Sequence, residues 1–297
     1  MCAICIFLGV AFFTLLERKL LRYSQLRKGP NKTSFFGFLQ PLSDAFKLIL
    51  KRRKIPLNSN YILFFLSPFL RLLLMLLSWI LYSSIVTYYW IFYGFLFYLC
   101  VRTMAVYPLF SAGWSSNSKY SFIGAIRGAC QIVSYEIRFI FMILTVLLFC
   151  FSYDVSFIKK FNWFLVLVSP IWFICWIALM SAEVNRAPFD FAEGESELVS
   201  GFNTEYAGGG FAMIFLSEYG NIMFLCFMTS IFLVNNFFIF FLGFFTSLVL
   251  CCVIIFARSA YPRFRYDLLM NISWQVILFA SFFFVTGIII FSCINNL

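Results

Sequence analysis

Twelve carboxylates occur in this 297-residue chain. Six of them (Glu183, Asp190, Glu193, Glu195, Glu197 and Glu205) crowd into AEVNRAPFDFAEGESELVSGFNTEY at 182–206. Glu136 and Glu218 fall within long apolar runs, and Glu183 ends one. A charge near the centre of a bilayer costs about 2.5–3.5 kcal/mol on insertion scales. Three such groups therefore cost roughly 7–10 kcal/mol, comparable to the net stability of a domain. They must be paired, solvated by internal water, or neutral, and carboxylates in that setting can hold and pass protons. A structural ion pair with an arginine is the bland alternative. In the acidic stretch, Asp190 with Glu193 has the form of a capping box on a short helix bracketed by Pro188 and Gly201. Capping leaves Glu197 unexplained, because like charges four residues apart cost about 0.2–0.5 kcal/mol. It does not reach Glu183, Glu195 or Glu205 either. A chain of titratable groups is the better reading than a solvated acidic loop.

Spacing adds two more features. Arg127, Gln131, Ser134 and Arg138 recur at i, i+4, i+7 and i+11 and form one polar helix face, while Glu136 points about 200° away. A helix polar on two sides belongs inside a bundle. Phe211, Phe215 and Glu218 share a face, so an aromatic wall leads toward a carboxyl group, with plain core packing as the alternative. Histidine is absent, which excludes His-ligated haem, His-ligated zinc and imidazole catalysis. The ten cysteines sit mostly in apolar runs and behave as small hydrophobes; no metal site is expected. No G-x-G-x-x-G or P-loop pattern occurs.

The elements that position these groups follow from composition. The chain is 63% hydrophobic and 11% charged, with mean hydropathy +0.95, against roughly 25% charged in soluble domains. It reads as an all-α polytopic membrane protein forming a single membrane domain over 1–297. Backbone groups in lipid must pair internally, and long unbroken apolar runs exclude a barrel. About eight spans are expected, roughly at 2–22, 61–82, 85–110, 122–151, 161–183, 209–232, 237–258 and 272–294. The first lacks a basic leader region and a cleavage site, so it reads as a retained span. Between Arg18 and Lys54 lie eleven of the 22 Lys and Arg, which places the odd-numbered loops, including the acidic loop at 184–208, on the basic inner side. Within 35–54, Leu42, Ala45, Phe46 and Ile49 oppose Asp44, Lys47 and Lys51, the pattern of an amphipathic helix lying in the membrane interface. The 44 phenylalanines suit a T-rich coding genome, common in mitochondria.

Five ordered blocks carry a family resemblance: ERKLLRYSQLRKGPN at 17–31, LQPLSDAFKLILK at 39–51, SAGWSSNSKYSFIGAIRGACQIVSYE at 111–136, AEVNRAPFDFAEGESELVSGFNTEY at 182–206, and AYPRFRYDLLM at 260–270. They resemble the subunit-1 family of the proton-pumping NADH:quinone oxidoreductases, respiratory complex I. The resemblance implies the membrane half of a quinone-binding chamber that meets a peripheral arm. Ubiquinone or a related quinone would be the substrate, and NADH, FMN and iron–sulfur clusters would sit only in partner subunits. Arg18, Gln25, Arg27, Asp44, Ala45, Lys47, Phe211, Phe215, Arg258 and Arg263 would lie along the quinone tunnel. Glu136, Glu183, Arg186, Asp190, Glu193, Glu195, Glu197, Glu205 and Glu218 would form a proton-coupling path toward antiporter-like membrane subunits.

The resemblance further implies the mitochondrial inner membrane, with the basic loops in the matrix. Other subunits and membrane lipid are the expected partners, and nucleic acid is not. Arg52-Arg53-Lys54 stands where the family commonly has an acid. Arg71, Arg102 and Arg138 add charges where small or apolar residues are expected, and their partners are expected in lipid or in lineage-specific subunits. A stand-alone proton or cation transporter is the alternative reading; it predicts inverted repeats, and the five blocks do not recur internally.

Overall fold

The computed structural model describes residues 2–52, 55–81, 93–150, 152–153, 170–191, 194, 201–233 and 242–295. The described residues fold as helices joined by turns. In chain order these are α1 (Cys2–Ser24), α2 (Gln40–Leu50), α3 (Tyr61–Ser78), α4 (Gly94–Met104), α5 (Val106–Ser115), α6 (Lys119–Cys150), α7 (Pro170–Glu183), α8 (Gly209–Leu233), α9 (Phe244–Ala260), α10 (Tyr266–Asn271) and α11 (Leu278–Asn295). Helix is the outcome the apolar runs require, since it pairs every backbone group within its own segment.

Each of the eight expected spans coincides with a helix. Five are long and apolar enough to cross a membrane: Tyr61–Ser78, Gly94–Ser115, Lys119–Cys150, Gly209–Leu233 and Tyr266–Ile290. The second of these joins α4 and α5 across a tightened turn at Ala105, and the last joins α10 and α11 through a π-helical stretch at Ile272–Ile277. The described parts of α7 and α9 are shorter apolar helices. Portions of the third, fifth and seventh expected spans lie outside the described residues.

α6 is the axis of the molecule. It packs against α5, α7 and α11, and 61% of its most apolar window is buried, against 22–50% for the other spans. Burial on both sides of α6 is what its two polar faces require. α3 and α8 pack side by side, and α1 lies against α8, α9 and α2. Small residues let the backbones close up. A Cβ on Gly113 of α5 would stand 2.2 Å from the Ala125 Cβ of α6. Aromatic rings fill the interior, with Trp176 stacked on Trp172 at 5.4 Å and on Phe139 at 5.0 Å.

α2 is amphipathic as the spacing predicts. Its inner edge carries Pro41 and Asp44: Asp44 pairs with Arg18 of α1 and accepts from Gln40 at 3.1 Å, while Lys47 and Lys51 are exposed. Leu42, Phe46 and Ile49 are exposed. Arg53 and Lys54 lie outside the described residues.

Candidate functional site

The buried charges form a connected series contributed by α1, α3, α4, α6, α7, α8, α9 and the chain after α7. At one end, Glu17 of α1 takes Arg258 of α9 at 2.5 Å, and Arg18, the next residue, turns the other way to Asp44. Tyr219 of α8 is within electrostatic reach of Glu17, and the Arg186 guanidinium lies 4.7 Å from the Tyr219 ring centroid. Arg186 also stands 3.5 Å from one carboxylate oxygen of Glu218, whose other oxygen meets Arg71 of α3 at 3.1 Å. Beyond Glu218 a cavity of about 50 Å³ is lined by Arg71, Arg102, Glu183, Asn185 and Glu218 among others. On its far wall Arg102 of α4 pairs with Glu183 at the end of α7, and Arg102 also acts electrostatically on Glu136 of α6.

Burial gives these pairs their character. Glu17, Glu183, Arg186, Asp190 and Glu218 are each under 9% exposed. An ion pair so placed has surrendered its hydration and must be satisfied by its neighbours. Around the cavity this is incomplete. Arg71 Nη1, Arg102 Nε, Glu183 Oε2 and Asn185 Oδ1 are buried without a hydrogen-bond partner among the described residues. A water needs roughly 10–15 Å³ and two to four polar partners, so this cavity is polar and roomy enough for a few.

Local structure holds the end of α7, which carries Glu183, and the loop after it, which carries Arg186. Gln131 of α6 donates to the carbonyls of Ala182 at 3.0 Å and Phe189 at 2.8 Å, fixing the end of α7 and the chain after it. The Phe264 N–H donates to the Pro188 carbonyl, Phe189 stacks on Phe264 at 5.5 Å, and Asp190 faces Arg263 at 3.6 Å. Asp190 is thus tied to Arg263, an arrangement the capping-box spacing does not reveal. On the far side of the loop Tyr206 stacks on Phe64 at 4.3 Å and its hydroxyl lies 2.9 Å from Ser67 Oγ. Burial pushes the Tyr206 hydroxyl above its ordinary pKa.

Of the residues expected on the proton path, Glu136, Glu183, Arg186, Asp190 and Glu218 are buried, and all but Asp190 belong to this series. Glu205 is half-buried in the turn before α8. Glu193, Glu195 and Glu197 lie outside the described residues. Of those expected on the tunnel, Arg18 and Asp44 form one pair, Arg258 joins Glu17, and Arg263 joins Asp190. Phe211 and Phe215 lie with ring centroids 4.3 Å apart, tilted at 47°. Gln25, Arg27, Ala45 and Lys47 are exposed.

The structure departs from expectation at three arginines. Their partners are internal: Arg71 has Glu218, Arg102 has Glu183, and Arg138 donates to the Ser134 carbonyl while lying over the rings of Tyr135 and Trp274 at 5.2 and 4.8 Å. Each arginine sits on an inward face, where a cation is tolerable only beside an acceptor or a ring. The aromatic wall on α8 continues through Phe215 to Tyr219, 6.3 Å away, rather than ending directly on Glu218. Spacing missed Glu17 and Tyr219. The signals were a carboxylate where the first apolar run ends, and a tyrosine at i+8 from Phe211.

The comparisons with known proteins agree with one another. The pattern of the family described as NADH dehydrogenase matches residues 1–289. The chain is 45% identical over 294 residues to the NADH-ubiquinone oxidoreductase chain 1 of Aedes aegypti, covering 97% of this chain and 94% of that one. It is 44% identical over 301 residues to the protein of the same name in Locusta migratoria, with 98% and 95% covered. For the one in Zaedyus pichiy the identity is 42% over 279 residues, with 91% and 88% covered. With a family pattern across nearly its whole length and relatives this similar end to end, the chain belongs to the NADH dehydrogenase family.

Proposed function

We infer that this chain is a membrane subunit of the NADH:ubiquinone oxidoreductase, a multi-pass protein of the mitochondrial inner membrane that works among the other subunits of that complex on a quinone substrate. Membership of the family, with end-to-end similarity to chains of that name, supports this. The finer assignment is that α1, α2, α8 and α9 frame the membrane half of a quinone chamber completed by peripheral-arm subunits. NADH, FMN and the iron–sulfur clusters belong to those partners. The basic loops face the matrix, and the carboxylates lead toward antiporter-like membrane subunits.

The observation that carries the coupling role is the unbroken electrostatic sequence from Arg258–Glu17 through Tyr219, Arg186 and Glu218 to the cavity bounded by Arg102–Glu183. Reducing a quinone consumes two electrons and two protons. Negative charge arising beside Glu17 and Arg18 disfavours the charged form of the nearest carboxylate, and pairs that share a guanidinium respond together. Arg186 is placed for this, between the Tyr219 ring and Glu218. Its shift toward one neighbour weakens its hold on the other. The cavity gives protons a polar step between Glu218 and Glu183.

Two measurements test the reading. Gently solubilised membranes run on a native gel stained for NADH dehydrogenase activity, followed by mass spectrometry, are expected to place this chain in a very large active band. A small inactive band under conditions that keep the dehydrogenase intact refutes the subunit assignment. Glu183→Gln is expected to slow coupled quinone turnover while NADH oxidation by artificial acceptors continues. Loss of both activities in a fully assembled complex contradicts the coupling role.

A further inference from the structure

Outside the series of buried pairs, four cations line a recess of about 570 Å³ where α1 ends. Arg18, Arg22, Lys28 and Lys32 line it, with Gly29, Pro30 and Asn31 between the lysines and Gln40 from α2. Only Arg18 meets a carboxylate, Asp44. Among the described residues no carboxylate pairs with Arg22, Lys28 or Lys32. The recess is therefore left with three uncompensated cations, all on chain segments with defined conformation. Arg27 N–H closes onto the Arg22 carbonyl at 2.8 Å, and Gly29 lies so close on Lys19 that a Cβ there would stand 2.9 Å from its Cγ.

An apolar fringe adjoins these cations. Phe36 and Phe38 are 67% and 54% exposed, with the Lys19 ammonium 5.6 and 5.9 Å from their ring centroids. The turn carrying Phe36 lies against Pro30 of the recess, and Leu42, Phe46 and Ile49 continue the exposed apolar surface along α2. The depth is also set. Arg18 and Arg22 follow the apolar run of α1, at the level where a spanning helix leaves the hydrocarbon, and α2 has the character of an interfacial helix. Basic pockets at that level take anionic headgroups.

We propose that this recess is a binding site for an anionic phospholipid, with the headgroup phosphate held by Arg22, Lys28 and Lys32 and the acyl chains laid along Phe36, Phe38, Leu42 and Phe46. An amphiphile satisfies both halves of the surface. An acidic polypeptide would neutralise the cations but leave the phenylalanines facing water or requiring a second partner. The proposal needs the chain to be membrane-embedded and does not rest on its part in quinone chemistry.

The test uses the intact purified complex reconstituted in vesicles doped with photoactivatable phosphatidylglycerol, with cross-linked peptides read by mass spectrometry. Label is expected within residues 18–46, competed by unlabelled phosphatidylglycerol and indifferent to millimolar inorganic phosphate. Lys28→Gln and Lys32→Gln should each lower the labelling about 5-fold, the equivalent of ~1 kcal/mol for a basic side chain near an anionic surface. Equal labelling by photoactivatable phosphatidylcholine would mean unspecific lipid contact, and competition by inorganic phosphate would mean a free-anion site; either overturns the proposal. So does a carbodiimide cross-link from Lys28 or Lys32 to a carboxylate of another subunit with no lipid label. The native-gel result stands whichever way this falls.

Discussion

Glu218 faces two guanidinium groups, Arg71 at 3.1 Å and Arg186 at 3.5 Å, in a setting that leaves it 7% exposed. Two cations on one carboxylate leave a net positive charge, so this carboxylate is the group whose removal exposes most. Glu218→Gln would strand both arginines beside a neutral amide. Breaking a buried pair typically costs about 3–5 kcal/mol, a large share of the net stability of a domain. The variant should lower the thermal midpoint of the assembled complex, or its yield on native gels. Adding Arg71→Leu should recover part of that loss, because one of the two stranded charges is then gone. An unchanged midpoint in Glu218→Gln alone would show that water, and not Glu218, carries these arginines. The same reasoning explains why neutral replacement suits Glu183 as a probe of coupling: Arg102 retains Glu136 within electrostatic reach.

At the scale of elements, the C-terminal end of the acidic loop depends on two contacts. A Cβ on Gly124 of α6 would stand 2.9 Å from the Gly201 Cα and 3.0 Å from the Phe202 nitrogen. Those are backbone atoms and cannot rotate aside. Gly124→Ala should therefore push the 201–203 turn off α6 at a cost of about 1–3 kcal/mol, seen as faster proteolysis within 184–208. Stability loss without added cleavage there would place the strain elsewhere. Tyr206 holds the other contact through Phe64 and Ser67. Burial raises its hydroxyl above the ordinary value of 10.0, so the folded state favours the neutral phenol. The stabilisation is complete below pH 10 and is lost as pH climbs above it, where the unfolded chain ionises first. Protection of the loop from protease should decline over that alkaline window. Tyr206→Phe, which keeps the stack and removes the titrating group, should flatten the decline. An identical alkaline profile in the variant would assign the decline to another group.

At the scale of the whole molecule, the orientation proposed from the basic loops is open to direct test. Lys28, Lys32 and Lys119 are exposed and belong to the first and third loops. An amine reagent that cannot cross membranes should modify all three from the matrix side in inside-out vesicles and leave them untouched in sealed mitochondria stripped of the outer membrane. Labelling of any of them from the opposite side would break the expected orientation. Labelling of none from either side would show that other subunits cover the loops.

The sequence by itself determined the class and the elements. Runs of apolar residues longer than any soluble helix needs can satisfy their backbone only as helices in lipid, and the described residues hold a helix at each expected span. Two polar faces on one segment likewise required α6 to be central, because neither face can meet hydrocarbon. Five long blocks in order carried the family as well. Periodicity showed that α2 has two faces; it could not say that Asp44 alone of the polar face meets α1, since that depends on Arg18 lying opposite it. Nor could it pair the charges. Glu17 and Arg258 are separated by 241 positions, and the partners of Arg71, Arg102 and Glu218 lie on other helices. A buried charge is answered by whatever acceptor the packing brings within reach, and that proximity exists only once the helices have assembled.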